Sequence, residues 1–265
     1  MKRRSCKYLL TAALLCAALT LPAKAARRRV PVQADAIPVS AAAYVEQGVT
    51  YVPLRALLNA LGSWQVWWDG EAGQAAAISG NVSLRADPAG NVIRVNGIAL
   101  SGRVTVESGV TYVPLRLVCE ALGCKVEWDP YLGGAAVTSP GAAYDAVELY
   151  WLSRIIYAES GAESMTGQIA VGNVILNRME SSRFPNTVEG VIFDRKDAVQ
   201  FEPVSNGQIY KTPSAQSVEA ARRVLDGENV IGSALYFYAP ALSQGVWINA
   251  SCTYQQTIGC HRFYL

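Results

Sequence analysis

Histidine is almost absent from this chain of 265 residues: His261 stands alone. A single imidazole excludes sites built on two or three histidine ligands, including the usual copper and catalytic zinc centres. Charge of one sign is lacking too, with 23 Lys and Arg against 21 Asp and Glu. No apolar run reaches the ~20 residues of a comfortable membrane span. The longest, "YLLTAALLCAALTL", follows Lys2, Arg3, Arg4 and Lys7 and precedes Ala23-Lys24-Ala25, a small-x-small cleavage site. Residues 1–25 therefore read as a signal peptide, with an uncleaved anchor as the rival reading. Its removal leaves 18 Lys and Arg against 21 Asp and Glu. That balance predicts no nucleic-acid partner, and "ARRR" at 26–29 reads as a flank of the cleavage site. Cysteine is scarce: Cys119, Cys124, Cys252 and Cys260 remain, an even number that permits disulfides in an exported chain. Their spacings do not match the tight ligand pairs of a zinc site, so no metal and no cofactor is expected.

What is present, first, is a repeat. "VEQGVTYVPLRALLNALG" (45–62) returns as "VESGVTYVPLRLVCEALG" (106–123), and "VWWD" (66–69) aligns with "VEWD" (126–129). The units run over about 30–90 and 91–140. Within each, "GVTYVPL" predicts a short strand whose Pro53 or Pro114 suits the first turn of a helix. "LRALLNALG" has helical spacing and ends at Gly62, as a C-terminal cap does. "WQVWWD" predicts a strand, with "AAAIS" pairing back. The indoles of Trp64, Trp67 and Trp68 suit either stacking on sugar rings or packing between repeats, and packing is the favoured reading.

"TSPGAAYDA" (138–146) reads as a linker, assigned to 141–146. Long helical periodicity follows over 147–265. "AVELYWLSRIIYAES" predicts a helix ending near Ser160 and Gly161. "GQIAVGNVILNRMES" predicts a second, buried one capped by Ser164 or Thr166. Its polar interruptions Asn173, Asn177 and Arg178 suit an active-site floor or the tying-down of loops. Between the helices lie Glu159 and Glu163. Burial at the end of an apolar helix would raise the Glu159 carboxyl toward the range a general acid needs, whereas Glu163, in the turn, would stay ionised. Composition alone also fits two surface glutamates.

The repeats resemble the copper amine oxidase N-terminal-like domain through "GVTYVPLR…ALG…WD". With one histidine the resemblance implies no copper; it implies an accessory module associated with the cell wall or surface. Residues from about 152 to 264 resemble the SleB-type cell-wall hydrolases, which include spore-cortex-lytic enzymes. The matching stretches are "YAESGAESMTGQIAVGNVILNR", "FPNTVEGVIF", "QFEPVSNGQIY", "ALYFYAP" and "IGCHRFY". "YFYAP" departs from the family's pattern, as does Cys260.

The resemblance implies a lysozyme-related fold and cleavage of peptidoglycan glycan strands as a lytic transglycosylase, with Glu159 catalytic. Glu159 would protonate the glycosidic oxygen and then take the proton from the C6 hydroxyl that closes a 1,6-anhydro ring. Glu163, Gln200, Phe201, Tyr236, Tyr238 and His261 are the expected substrate-binding residues. The expected fold class is α+β: two small α+β repeats, then a mostly helical domain with a small sheet. The chain is expected to be secreted to the cell wall or spore envelope. The alternatives are a non-catalytic wall-binding scaffold, a hydrolase releasing reducing ends, and an amidase or peptidase, which the single histidine disfavours.

Overall fold

A computed structural model describes residues 27–39, 42–196 and 198–265; the signal-peptide reading for 1–25 lies outside the described residues. Among these, no helix is long and apolar enough to cross a membrane. The fold class is the expected one: a sheet-rich N-terminal part, then a mostly helical C-terminal part with one small sheet.

The repeats fold around each other. Their equivalent strands Val49–Pro53 and Val110–Pro114 pair antiparallel at the centre of a five-stranded sheet. Val52 faces Val113, its own counterpart in the other repeat, so a pseudo-two-fold axis passes between them. Helices α1 (Leu54–Ala60) and α2 (Leu115–Ala121) follow at once, each with its proline as the N-cap rather than inside the first turn. Leu54, Leu57 and Leu58 of α1 and Leu115, Val118 and Cys119 of α2 enter a common core. Gly62 and Gly123 sit just beyond the helix ends at φ 138° and 79°, backbone that L side chains adopt only with strain.

Each repeat's opening hairpin completes the other's outer sheet. Val32–Ala34, paired with Ile37–Pro38, runs parallel to Gly134–Thr138 of the second repeat. Val92–Val95 and Ile98–Ser101 join the first repeat's sheet through Val82–Asp87, a strand with no counterpart in the shorter second unit. Arg27, Arg28 and Arg29 of the basic cluster are built into this architecture as well. Arg28–Arg29 pairs with Tyr44–Glu46, and Arg27 bridges Glu46 and Glu107 at 3.1 and 2.7 Å. Arg103 also reaches the buried Glu46 carboxylate, at 2.7 Å, so two cations compensate its loss of water.

The C-terminal part is organised by α3 (Ala146–Ser160) and α4 (Met165–Glu180). Asp145 caps α3, accepting from Val147 N and Glu148 N, and Ser164 caps α4. Short helices α5 (Val188–Ile192) and α6 (Glu202–Asn206) and the longer α7 (Ala215–Leu225) pack around them. Gly172 is required at the crossing: a Cβ there would lie 2.8 Å from Ile156 and 2.9 Å from Val224. After α8 (Val246–Ser251), the chain completes a three-stranded antiparallel sheet in which His261–Tyr264 lies between Tyr236–Tyr238 and Tyr254–Ile258. Asn173, Asn177 and Arg178 tie down the segment before that sheet, bonding to the backbone of Glu228, Val230, Gly232, Ala234 and Leu235. All four cysteines among the described residues are free thiols.

The two parts are joined by buried contacts. The Trp151 indole Nε1 donates to Asp129 Oδ2 at 2.7 Å, and both residues are shielded from water. The same carboxyl group accepts from Tyr131 N and Leu132 N through its other oxygen. Tyr131 stacks on Phe193 at 4.0 Å, and Lys125 reaches Asp145, the cap of α3, at 2.8 Å. Removing Asp129 leaves a buried indole N–H unpartnered, which costs about 1–3 kcal/mol. Its counterpart Asp69 instead meets the exposed Arg85 at 3.0 Å, a pairing worth at most about 1 kcal/mol. Urea unfolding of Asp129→Ala should therefore show a clear loss of stability, and Asp69→Ala a markedly smaller one; equal losses would refute the docking role.

Candidate active site

Helix α3 ends in the turn 161–163, and the first residues of α4 begin directly beyond it. Gln168, fully buried on α4, fixes this turn from behind: its amide donates to the Glu163 carbonyl at 3.1 Å and accepts from the Ser217 hydroxyl at 2.8 Å. The Gln216 amide of α7 donates to the same carbonyl at 3.1 Å. A cleft of about 620 Å³ opens at the turn, lined by Tyr157, Glu159, Glu163, Gln208, Lys211 and His261, and also by Ala239, Ala241 and Leu242.

Glu159, in the last turn of α3, is half-buried. Burial, reinforced by the charge of Glu202 on α6, pushes its carboxyl up to about 7. The position adds to the effect, because the last carbonyls of a helix form its negative end and disfavour a second negative charge. A carboxyl titrating there can hold a proton at neutral pH and also give it up, the property required of a group that acts as acid and then base.

Glu163 does different work. Its Oε1 accepts from Cys260 N at 3.1 Å, and the carboxylate lies so close over Gly259 that a Cβ there would meet Oε2 at 1.9 Å. Gly259 also has φ 57°, so both space and backbone demand glycine. Glu163 thus anchors the tip of the 254–264 hairpin to the α3–α4 turn. His261 sits beside it, with Nδ1 3.9 Å from Glu163 Oε1, and is 7% exposed. Burial lowers the imidazole's pKa, against the opposing pull of Glu163, and Nδ1 has no hydrogen-bond partner among the described residues. His261 thus lines the cleft with a neutral imidazole whose Nδ1 is itself turned away from water.

The cleft gathers Glu159, Glu163 and His261, whereas the other expected binding residues lie outside its lining. Phe201 is 3% exposed and packs in the core of the C-terminal part. Gln200 accepts from Arg178 at 3.2 Å and donates to Ala198 O. Tyr236 belongs with Phe184 and Trp247 to an aromatic cluster around the Arg178 guanidinium, which lies 4.8 Å from the Phe184 ring and 5.4 Å from that of Tyr236. Burial among these rings lowers the Arg178 pKa to about 10. Tyr238 is held by Asn249, whose amide donates to its hydroxyl at 2.9 Å. Three residues at or near the cleft were not singled out by sequence reasoning: Glu202, Gln208 and Lys211. The first two lie inside "QFEPVSNGQIY", where a polar residue beside Phe201 and one after Gly207 were the available signal. Lys211, one residue beyond, carried none.

Comparison with known proteins gives this region a family. Residues 162–264 match the family described as Cell Wall Hydrolase, a stretch that begins three residues after Glu159. They form a cell wall hydrolase domain. Residues 32–138 match the Copper amine oxidase N-terminal domain, and the repeats form that module. The chain is 39% identical over 105 residues to a spore cortex-lytic enzyme of Bacillus cereus, covering 40% of this chain and 39% of that protein. It is 35% identical over 113 residues to the Bacillus subtilis spore cortex-lytic enzyme, covering 43% and 36%. It thus spans well under half the length of these relatives. The catalytic domain of the germination-specific lytic transglycosylase SleB from Bacillus anthracis is 36% identical and matches 48% of this chain and 99% of its own, with a TM-score of 0.43.

The raised carboxyl of the hydrolase domain has a measurable consequence for folding. Below pH 4.5, Glu159 is protonated in both the folded and unfolded chains. As pH rises to about 7, the unfolded chain ionises freely and the folded one does not, so stability falls. The loss is at most about 3 kcal/mol. Glu159→Gln removes the titrating group, so its melting temperature should exceed that of the parent at pH 8 and equal it at pH 4. A constant difference between the two pH values would show that the carboxyl is not buried as described.

Proposed function

We propose that the chain is an exported enzyme that cleaves peptidoglycan glycan strands between N-acetylmuramic acid and N-acetylglucosamine, as a lytic transglycosylase. The observation that carries this reading is the half-buried Glu159 carboxyl, raised to about 7 at the floor of an open cleft while its neighbour Glu163 is engaged by the 259–260 backbone. Protonated Glu159 donates to the glycosidic oxygen and the C1–O bond breaks. The resulting carboxylate removes the proton of the C6 hydroxyl as that oxygen bonds to C1, closing the 1,6-anhydro ring and restoring the acid. No second carboxylate and no water is consumed. The amide of Gln208, at the cleft lining, is suited to hold sugar acetamido or hydroxyl groups beside the reacting bond. The names of the relatives, two spore cortex-lytic enzymes and a germination-specific lytic transglycosylase, support cortex peptidoglycan as the substrate and the spore envelope or cell wall as the location. The N-terminal module is assigned to wall association.

One observation favours a second reading. Glu202 faces Glu159 closely enough for its charge to raise that carboxyl. A second carboxylate in the cleft region is what hydrolysis with release of a reducing end uses, either as nucleophile or as water-activating base.

Digestion of purified glycan strands, with the ends identified by mass spectrometry, decides between them. The proposal expects anhydro-muramyl ends, lost by a factor of about 10²–10⁴ in rate with Glu159→Gln. Glu163→Gln, which keeps the acceptor for Cys260 N, should retain activity within about tenfold. Reducing ends, or complete loss with Glu163→Gln, would overturn the assignment.

The pH profile tests the electrostatics separately. Activity should fall as pH rises past about 7, as the acid form of Glu159 is lost. Glu202→Gln should move that fall to lower pH while leaving substantial activity; abolition of activity would favour the hydrolytic reading.

A further inference from the structure

The pseudo-two-fold axis of the N-terminal module creates two equivalent grooves, and the sequence has diverged between them. Each is bounded by one repeat's helix and tryptophan-bearing strand and by the tip of the other repeat's hairpin. The first, about 520 Å³, brings Arg55, Trp67 and Trp68 against Val110 and Thr111. The second, about 370 Å³, brings Arg116, Glu127 and Trp128 against Val49 and Thr50. Where the first has Trp67, the second has a carboxylate, Glu127. Where the second has Glu120, bonded to Arg116 Nη1 at 3.3 Å, the first has Asn59. Arg55 consequently has no carboxylate partner among the described residues. Its Nη2 donates to Val66 O at 3.0 Å, which holds the guanidinium plane beside the tryptophan strand with its other N–H groups free.

Trp67 and Trp68 are 43% and 48% exposed. They lie on Gln65–Asp69, an edge strand of its sheet, with Trp68 on the core-facing row opposite Ala75 and Trp67 on the other. Two adjacent indoles are thus half open to water at the lip of a groove, beside a cation with no carboxylate partner among the described residues, the kind of patch that marks binding surfaces. Sequence reasoning favoured packing for these residues; among them only Trp64 packs against the module's core.

We propose that the first groove binds an acidic glycan strand, with a sugar face stacked on Trp68 and a carboxylate of the strand paired with the Arg55 guanidinium. The occupant follows from the chemistry of the surface. The flat apolar face of a pyranose matches an indole, and a rigid guanidinium edge with free N–H groups matches a carboxylate in a two-bond fork. The charge is complementary, because Arg55 is the groove's sole ionic group. The second groove, with Arg116 already paired to Glu120 and Glu127, held by Lys125 at 2.7 Å, in place of one indole, offers the same ligand no uncommitted cation. The module then holds the polymer at a point separate from the cleavage cleft. The identity of the strand as peptidoglycan rests on the cleavage reading above.

The test uses the full chain carrying Glu159→Gln, so that the glycan stays intact during measurement. Cosedimentation with purified peptidoglycan sacculi and titration with soluble peptidoglycan strands give the affinities, and melting curves verify folding. Trp68→Ala should weaken binding about tenfold or more and Trp68→Tyr should restore most of it, since a phenol ring also stacks. Arg55→Gln, a change at an exposed side chain that the fold tolerates, should weaken binding of carboxylate-bearing strands severalfold and leave neutral chitin oligosaccharides unaffected. Trp128→Ala should bind as the parent does. Undiminished binding in both Trp68→Ala and Arg55→Gln, or displacement of the strands by an acidic peptide, would overturn the proposal. Failure of the cleavage reading appears differently, as missing anhydro ends from the unmutated chain while groove binding persists.

Discussion

The hydrogen bond from the Trp151 indole to Asp129 is the contact on which the arrangement of the whole molecule turns. Trp151 lies in the middle of α3, fully buried, with Asp145 at the start of that helix and Glu159 at its end. Asp145 is gripped by Lys125, and Trp151 by Asp129, both from the strand Lys125–Asp129 of the second repeat. A helix held at its cap and its middle by another module cannot shift along its axis without breaking a buried bond. The residue at its far end is thereby fixed relative to the N-terminal module as well as to its own core. The catalytic candidate and the accessory module share one rigid element, not a flexible tether.

The duplication puts equivalent positions of the two repeats in different surroundings. Two repeats related by the Val52–Val113 axis begin with the same surface features. In the second, the aspartate that ends the tryptophan strand reaches the Trp151 indole of α3, Glu120 pairs with Arg116 and Glu127 with Lys125. In the first, the equivalent Asp69 stays at the surface with Arg85, and the neighbouring indoles remain exposed. One copy keeps the contacts that bind the module to its own chain. The other keeps an unpaired arginine and two indoles facing outward. Identical starting positions, subject to different neighbours, account for the divergence residue by residue.

The local features were legible in the sequence because they obey short periods. Helices α3 and α4, a cap at Ser164 or Thr166 and the glycine stop at 62 all depend on residues within a few positions of each other, and the repeat was legible as a direct recurrence of the sequence. The exchange of opening hairpins between repeats was not legible. Strand pairing is decided by which edge is free in three dimensions, and Val32–Ala34 finds its partner about a hundred residues away in Gly134–Thr138. Tyr236 and Tyr238 stand two apart in one strand and so share a face, but spacing could not say what that face meets; it meets the Arg178 cluster and Asn249. Phe201 was unreadable for the same reason, since an aromatic in a motif serves a core as readily as a groove. The influence of Glu202 on Glu159 crosses from one helix to another and leaves no trace in local spacing.

The electrostatics of the cleft show why two glutamates four residues apart need not form a pair. Helical spacing would place them on one face, but Gly161 ends α3 between them, and the chain turns before Glu163 is reached. Glu159 therefore keeps the environment of a buried helix C-terminus, where desolvation and the terminal carbonyls both oppose ionisation. Glu163 meets backbone N–H and the bare Cα of Gly259, an environment that receives a carboxylate. A true acid–base pair would need both groups to face the same reacting bond, and here one is turned to hold the wall of the cleft. The break in the helix converts a symmetric sequence pattern into two unequal sites, one suited to carry a proton and one suited to hold a loop.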